Sequence, residues 1–419
     1  MRELKVTHQN YAWGAFGTSS VRDLARANAA RHGDGLSATD DADSVPFAEL
    51  WAGTHPSGMS HIAPDDDAQS QTLLSYVQSN AERALGAECV EKFGKDVPFL
   101  MKVLSVRGAL SIQAHPDKAL AARLHAQNPG AYKDSNHKPE MAVAIGDFEA
   151  LSGFVHAKTL AERLRRTPEL ASVVGDERCQ AFIDCVSDDA KSDTERIRQA
   201  FKDVFRAIMT ANHDVVRDAT RALATRLKSA EPTSLDDAEA VYVRLIEQYP
   251  DDVGALCAFI LNHINLRPGE GIYMAANEPH AYLFGECVEV MATSDNVVRA
   301  GLTPKFRDVD VLCDMLTYEL GAPTILAGDV INACTKRYVP PFDEFALDVV
   351  SCAPGAALGV PARVGPSIWL ISHGSATFNG TPVRPGAVVF VENQEPVNII
   401  VDDDDDGDGF HAYACAPNV

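Results

Sequence analysis

Pro98-Phe-Leu-Met-Lys-Val-Leu-Ser105, followed after three residues by Ala109-Leu-Ser-Ile-Gln-Ala-His115, is the stretch on which the fold turns. The first segment is short, apolar and β-compatible. In the second, side chains alternate across a strand, so Ser111, Gln113 and His115 share one face. Pro116 ends the strand and leaves that polar face at a rim, where a ligand can enter.

Working outward, the same character recurs. Gly271-Ile-Tyr-Met-Ala275 and Glu286-Cys-Val-Glu-Val-Met291 read as strands between Gly, Pro and Asn punctuation. Ala376-Thr-Phe378, an Asn379-Gly380 hairpin turn and Pro385-Gly-Ala-Val-Val-Phe-Val391 repeat the theme near the end of the chain. Pro268-Gly-Glu-Gly271 and Pro385-Gly386, each placed before a strand, suggest two related β-barrel units of jelly-roll type. Between them the pattern changes. No glycine occurs from residue 176 to 253, and Ile197, Phe201, Val204, Phe205 and Ile208 fall on one helical face. Ser192-Asp-Thr-Glu195 has capping-box spacing before that face, and a second helix spans Asp236 to Glu247 with Pro250 closing it. The expected class is mainly β with an α insert. The expected parts are a catalytic jelly roll over 1–158 and 263–322, a helical insert over 159–262 and a second jelly roll over 323–419.

Composition narrows the function. The 419 residues are 46% apolar and 23% charged, which excludes disorder as the main theme. Lys+Arg total 37 against 59 Asp+Glu, a net charge of −22 that offers no footprint for nucleic acid or anionic lipid. No apolar run is long enough to span a bilayer, and Met1-Arg-Glu-Leu-Lys5 lacks the apolar core of a secretory signal. Nine scattered cysteines without a C-x-x-C pair read as reduced thiols, so a cytoplasmic location is expected. The stretch His32 to Ser44 reads as an exposed loop, and Asp402 to Asp406 with Asp408 as a solvated acidic turn.

Four segments carry chemistry. Gln113 and His115, two apart on a strand, lie about 6–7 Å apart at Cα and can share one metal. In Asn136-His-Lys-Pro-Glu140, Pro139 holds Lys138 extended and sets Lys138 and Glu140 on one side. Glu278-Pro-His280-Ala-Tyr282 places a histidine after a proline at the end of a strand-like run. Gln, His, Glu and His together make a mixed N/O site with room for water or substrate, the open pattern of a catalytic metal. Zinc, iron and manganese all suit such donors. Finally, Ser294-Asp-Asn-Val-Val-Arg-Ala-Gly-Leu-Thr-Pro-Lys305 sets two cations in a Gly/Pro loop suited to phosphate or a developing oxyanion.

These segments resemble the type I phosphomannose isomerases. The matching blocks are Gln9-Asn-Tyr-Ala-Trp-Gly14, Glu49-Leu-Trp-Ala-Gly-Thr-His-Pro-Ser57, Leu110-Ser-Ile-Gln-Ala-His-Pro-Asp-Lys118, Asn136–Glu140, Pro279-His-Ala-Tyr282 and Ser294–Lys305. A weaker one, Tyr338-Val-Pro-Pro-Phe-Asp-Glu-Phe345, opens the C-terminal part. The resemblance implies a cupin-type catalytic domain, one zinc per chain on Gln113, His115, Glu140 and His280, and Arg299 as the catalytic residue. It places Ser111 and Lys305 near the substrate phosphate, with Lys138, Tyr282 and Glu289 among the substrate contacts. No metal is expected in the C-terminal unit.

The implied reaction interconverts mannose 6-phosphate and fructose 6-phosphate through a cis-enediol, supplying mannose for GDP-mannose and glycosylation. Arg299 cannot be its base, because a guanidinium stays protonated; Glu289, a metal-bound water and Lys138 remain candidates. The net charge opposes a sugar phosphate, so Lys102, Lys138, Arg299, Lys305 and the metal are expected to form a positive pocket in an acidic envelope. A monomer binding a small sugar phosphate, with neither nucleic acid nor membrane as partner, completes the expectation. Two rivals are a non-catalytic metal- or sugar-binding cupin, which would lose the Arg299–Lys305 loop, and an iron oxygenase, for which Gln113 is a ligand too many.

Overall fold

The computed structural model describes residues 1–33, 44–63, 71–187, 194–403 and 409–419. Two large sheets stand back to back. The first runs Gly271–Met274, Glu140–Phe154, His280–Ala292, Phe99–Val106, Glu49–Ala52 and Thr7–Gln9, with Ile112–Ala114 and Val298–Gly301 paired beyond the start of His280–Ala292. The second carries the C-terminal strands, and Arg2–Lys5 joins it by pairing with Val388–Val391. The chain's first strand is therefore built into the sheet of its last hundred residues. The chain is mainly sheet with a helical insert, as expected, and neither sheet closes on itself among the described residues, so the cupin-like strands form an open sandwich.

Period-2 alternation decides what each face does. Met101, Val103, Met141, Val143, Val288 and Val290 point toward the second sheet and pack with Phe345, Leu347, Ile368, Leu370 and Phe390. The residues between them, Lys102, Leu104, Glu140, Glu289 and Met291, point the other way and line a cavity. Strand Phe99–Val106 is buried at every position, which explains its continuous apolar reading. The C-terminal sheet closes its own far face with the small sheet of Ala357–Val360, Val397–Val401, Ala376–Phe378 and Thr381–Val383. Asn379 and Gly380 turn its hairpin with φ of 48° and 85°, the left-handed pair that a two-residue turn requires.

The helical insert follows strand Glu140–Phe154. Helix Thr194–Thr210 buries Phe201, Val204, Phe205 and Ile208 as their spacing predicts. Phe154, at the end of the long strand, meets Phe201 at 4.7 Å and stacks on Tyr318 at 5.7 Å, so the insert shares a core with the catalytic sheet. Helix Asp237–Gln248 starts with a reciprocal capping box between Asp236 and Glu239. The capping spacing at Ser192–Glu195, the His32–Ser44 loop and the Asp402–Asp408 run lie wholly or mostly outside the described residues.

Candidate active site

The strand pairing assembles the site. His280 opens strand His280–Ala292, rather than closing a strand as its position after Pro279 suggested. It stands directly opposite Gln113, and Gln113 stands opposite Arg299 on the next strand. Cross-strand partners share a face, so His280, Gln113 and Arg299 form one row. His115 lies two residues beyond Gln113 on that face. Glu140 opens its own long strand opposite Met291, which brings the carboxylate to the same place from another direction.

His115, Glu140 and His280 are buried, and their ligand atoms lie within 4.8 Å of one another. His115 Nδ1 is 2.7 Å from the Asn296 carbonyl, and His280 Nδ1 is 3.2 Å from that of Glu278. With each Nδ1–H donated to a carbonyl, both Nε2 atoms present lone pairs. These face Glu140 Oε2 at 3.2 and 3.0 Å. His115 Nε2 makes no aligned hydrogen bond despite that proximity. Three acceptors converging in a dry pocket repel one another, and a cation between them removes the conflict. The residues therefore fit a metal ion. Burial lowers the pKa of His115, which keeps the ring neutral as a ligand requires. Burial would raise the Glu140 carboxyl, but the Lys138 ammonium beside it holds it well below the usual range. The Gln113 amide, on the cavity wall, has no hydrogen-bond partner among the described residues.

The cavity, about 460 Å³, extends from this trio past Ser111, Lys138, Tyr282, Glu289, Arg299 and Lys305. Every site residue singled out in the sequence lines it except His115 and His280, which contact its wall through Glu140. Asn296 supports the trio in turn, its amide bound to the Asp134 and Asn136 carbonyls. The expected pool of positive charge needs correction. Lys102 Nζ is 2.9 Å from Glu289 and 3.3 Å from Glu49, and Lys138 Nζ is 2.9 Å from Glu140. Burial works against the Lys102 charge, but Glu289 and Glu49 raise its pKa on balance. Both lysines are therefore neutralised within the wall. Arg299 and Lys305 have no carboxylate partner among the described residues, so the free positive charge sits at the 299–305 end. Burial alone lowers the pKa of the Arg299 guanidinium below its ordinary value.

Sequence reasoning left several wall residues without a role. Glu49 accepts from Trp51 Nε1, and His55 meets Asp295 at 3.3 Å. Glu289 accepts from the Tyr282 hydroxyl at 2.8 Å as well as from Lys102. Tyr11, Trp13 and Tyr249 complete the wall. Glu49, Trp51 and His55 fall inside a quoted block, as do Tyr11 and Trp13, so the signal was present; Tyr249 belongs to no block.

The sequence matches the catalytic domain of type I phosphomannose isomerases over residues 1–157 and their helical insertion domain over 173–261. Mannose-6-phosphate isomerase 1 of Arabidopsis thaliana is 41% identical over 404 residues, covering 95% of this chain and 91% of the relative. The Saccharomyces cerevisiae mannose-6-phosphate isomerase is 38% identical, covering 96% of each chain. A zinc-bound crystal structure of mannose 6-phosphate isomerase superposes with a TM-score of 0.81 at 26% identity, over 100% of this chain and 99% of the other. A mutant phosphomannose isomerase from Salmonella typhimurium gives 0.82 at 26% identity over the whole of both chains.

Proposed function

The chain belongs to the type I phosphomannose isomerase family, and on that premise we propose how its residues divide the work of the reaction. The reaction interconverts mannose 6-phosphate and fructose 6-phosphate, and zinc is its cofactor. His115, Glu140 and His280 hold the zinc, with the unpartnered Gln113 amide as fourth ligand. When bound, it supplies Lewis-acid polarisation of the sugar oxygens at C1 and C2.

The observation that carries the rest is the pair of cations, Arg299 and Lys305, that have no carboxylate partner among the described residues, in a cavity whose two lysines Lys102 and Lys138 are each held by carboxylates. Lys305 and Ser111 bind the phosphate. Arg299, in the row with Gln113 and His280, stabilises negative charge on the enediol oxygens. Glu289 takes the C2 proton and returns it at C1, held in place by Tyr282 and Lys102. Lys138 holds the Glu140 carboxylate. A cytoplasmic monomer supplying mannose for GDP-mannose is part of the same reading. Nine free cysteines and a site complete within one chain support it. No helix among the described residues is long and apolar enough to cross a membrane.

The phosphate assignment is tested by Lys305→Ala in a coupled assay for fructose 6-phosphate. The expected result is a higher KM with kcat little changed, because a phosphate grip acts equally in ground and transition states. A loss confined to kcat overturns it.

A further inference from the structure

We propose that Asp252, contributed by the end of the helical insert, is a positioning residue for the substrate phosphate, because its carboxylate holds the turn that carries Lys305. The inference rests on the reading of Lys305 as a phosphate ligand. Asp252 Oδ1 accepts from the backbone N–H of Leu302 at 2.9 Å and of Gly254 at 2.7 Å. Its Oδ2 accepts from the N–H of Thr303 at 3.1 Å. One carboxylate thus binds two successive amides of the 301–305 turn together with one of its own segment.

The turn needs such a hold. Leu302 has φ of +55°, a left-handed conformation that strains the backbone of a leucine. Its side chain is buried and borders the cavity, so the strain lies next to the site. Gly254 and Gly301 lie against each other so closely that a Cβ on either would sit 2.4 Å from the other segment's backbone. Both positions must be glycine for Asp252 to reach Leu302 and Thr303. Beyond the turn, Lys305 N donates to Thr303 Oγ1 at 3.1 Å, and Arg307 closes the loop on the Ala300 carbonyl at 3.0 Å.

The same end of the insert grips the other phosphate arm. Tyr249 donates its hydroxyl to the Ala109 carbonyl at 2.6 Å, and Gln248 Oε1 accepts from Ala109 N at 2.8 Å, two residues before Ser111. Gln248 to Gly254 therefore tie together the two backbone segments that present Ser111 and Lys305. The metal trio, held by Asn296 and Glu278, makes no use of this clamp. A defect in it should separate phosphate binding from metal binding and from the chemical step.

The test compares Asp252→Ala, Asp252→Asn and Lys305→Ala for KM, kcat, bound zinc and competitive inhibition by inorganic phosphate. Asp252→Ala should raise KM and the phosphate inhibition constant about tenfold, the scale for leaving buried amides without an acceptor. Zinc content should be unchanged and kcat should fall by less than about threefold. Asp252→Asn keeps the size and one acceptor oxygen, so it should fall between wild type and Asp252→Ala, and it carries the test if the alanine variant does not fold. Unchanged KM and phosphate inhibition in folded Asp252→Asn overturn the proposal, as does a loss of kcat and melting temperature at constant KM. If Lys305→Ala alters neither KM nor phosphate inhibition, the phosphate assignment falls and this proposal with it. If Lys305→Ala alters both and the Asp252 variants alter neither, only the role of Asp252 is lost.

Discussion

Arg299 stands half-buried on a strand with no carboxylate partner among the described residues, in a chain carrying 59 acidic residues. Desolvating a guanidinium without a partner costs free energy that a structural role would not repay, so the charge is there for something that arrives. If that is the negative charge developing on the enediol, Arg299→Ala should lose about 10²–10³ in kcat, the usual cost of one oxyanion-stabilising donor. Arg299→Lys should recover part of it, since a point charge cannot reproduce the planar fork. Steady-state kinetics with zinc measured in parallel decides the matter, and near-normal kcat in zinc-replete Arg299→Ala removes the residue from the mechanism. The metal trio allows a second comparison. Glu140 supplies the only formal negative charge among the four proposed ligands, and Lys138 is bound to it. Glu140→Ala should therefore release zinc at lower chelator concentration than Gln113→Ala.

A helix and an alternating strand were the elements most legible in the sequence. The helix expected from Asp236 to Glu247 forms over Asp237–Gln248, and Asp236 and Glu239 cap it with reciprocal bonds of 3.0 Å each that the sequence reading did not single out. Asp236→Ala should lower stability by about 1 kcal/mol, read from denaturant unfolding, with kinetic constants unmoved because the cap is remote from the cavity. Strand alternation was equally legible. Gln113 and His115 share a face, and Lys138 and Glu140 meet, as local spacing requires. What local spacing cannot supply is register between distant strands. Gln113 stands opposite both His280 and Arg299, partners 167 and 186 positions away, through pairings no single segment announces. For the same reason Lys102 read as a free cation: its neutralisers, Glu49 and Glu289, arrive on the strands to either side. The pairing of Arg2–Lys5 with Val388–Val391 is a still longer closure, between a charged stretch and an apolar one that no local reading joins.

At the scale of the whole molecule, the apolar cores border the cavity through Leu302, Leu104 and Met291 but do not include the metal ligands, so removing the metal should abolish isomerisation while the far-ultraviolet circular dichroism persists. None of the four proposed ligands belongs to the three large core clusters. The junction of insert and sheet has its own control. His263, on strand Leu261–Leu266, sets Nδ1 2.9 Å from both oxygens of Asp237 on helix Asp237–Gln248 and Nε2 3.4 Å from Glu149 on the long strand. Burial would lower its pKa, but the two carboxylates raise it above 6.5. That contribution to stability is complete below pH 6.5 and is lost as pH rises through the raised value. Glu149 has the opposite sign. The bond from His263 first, and Arg244 next, hold it at about 2 against burial, so its contribution is complete above 4.5 and lost as pH falls through about 2. Both act fully together only between pH 4.5 and 6.5. Replacing His263 by glutamine removes the titration but keeps a hydrogen-bonding side chain. Between about pH 5.5 and about pH 9, wild type should therefore lose more melting temperature than His263→Gln. The two proteins should converge at the alkaline end, where His263 is neutral in both folded and unfolded chains. Parallel curves across that range would show that the insert is held to the sheet by its shared apolar core alone.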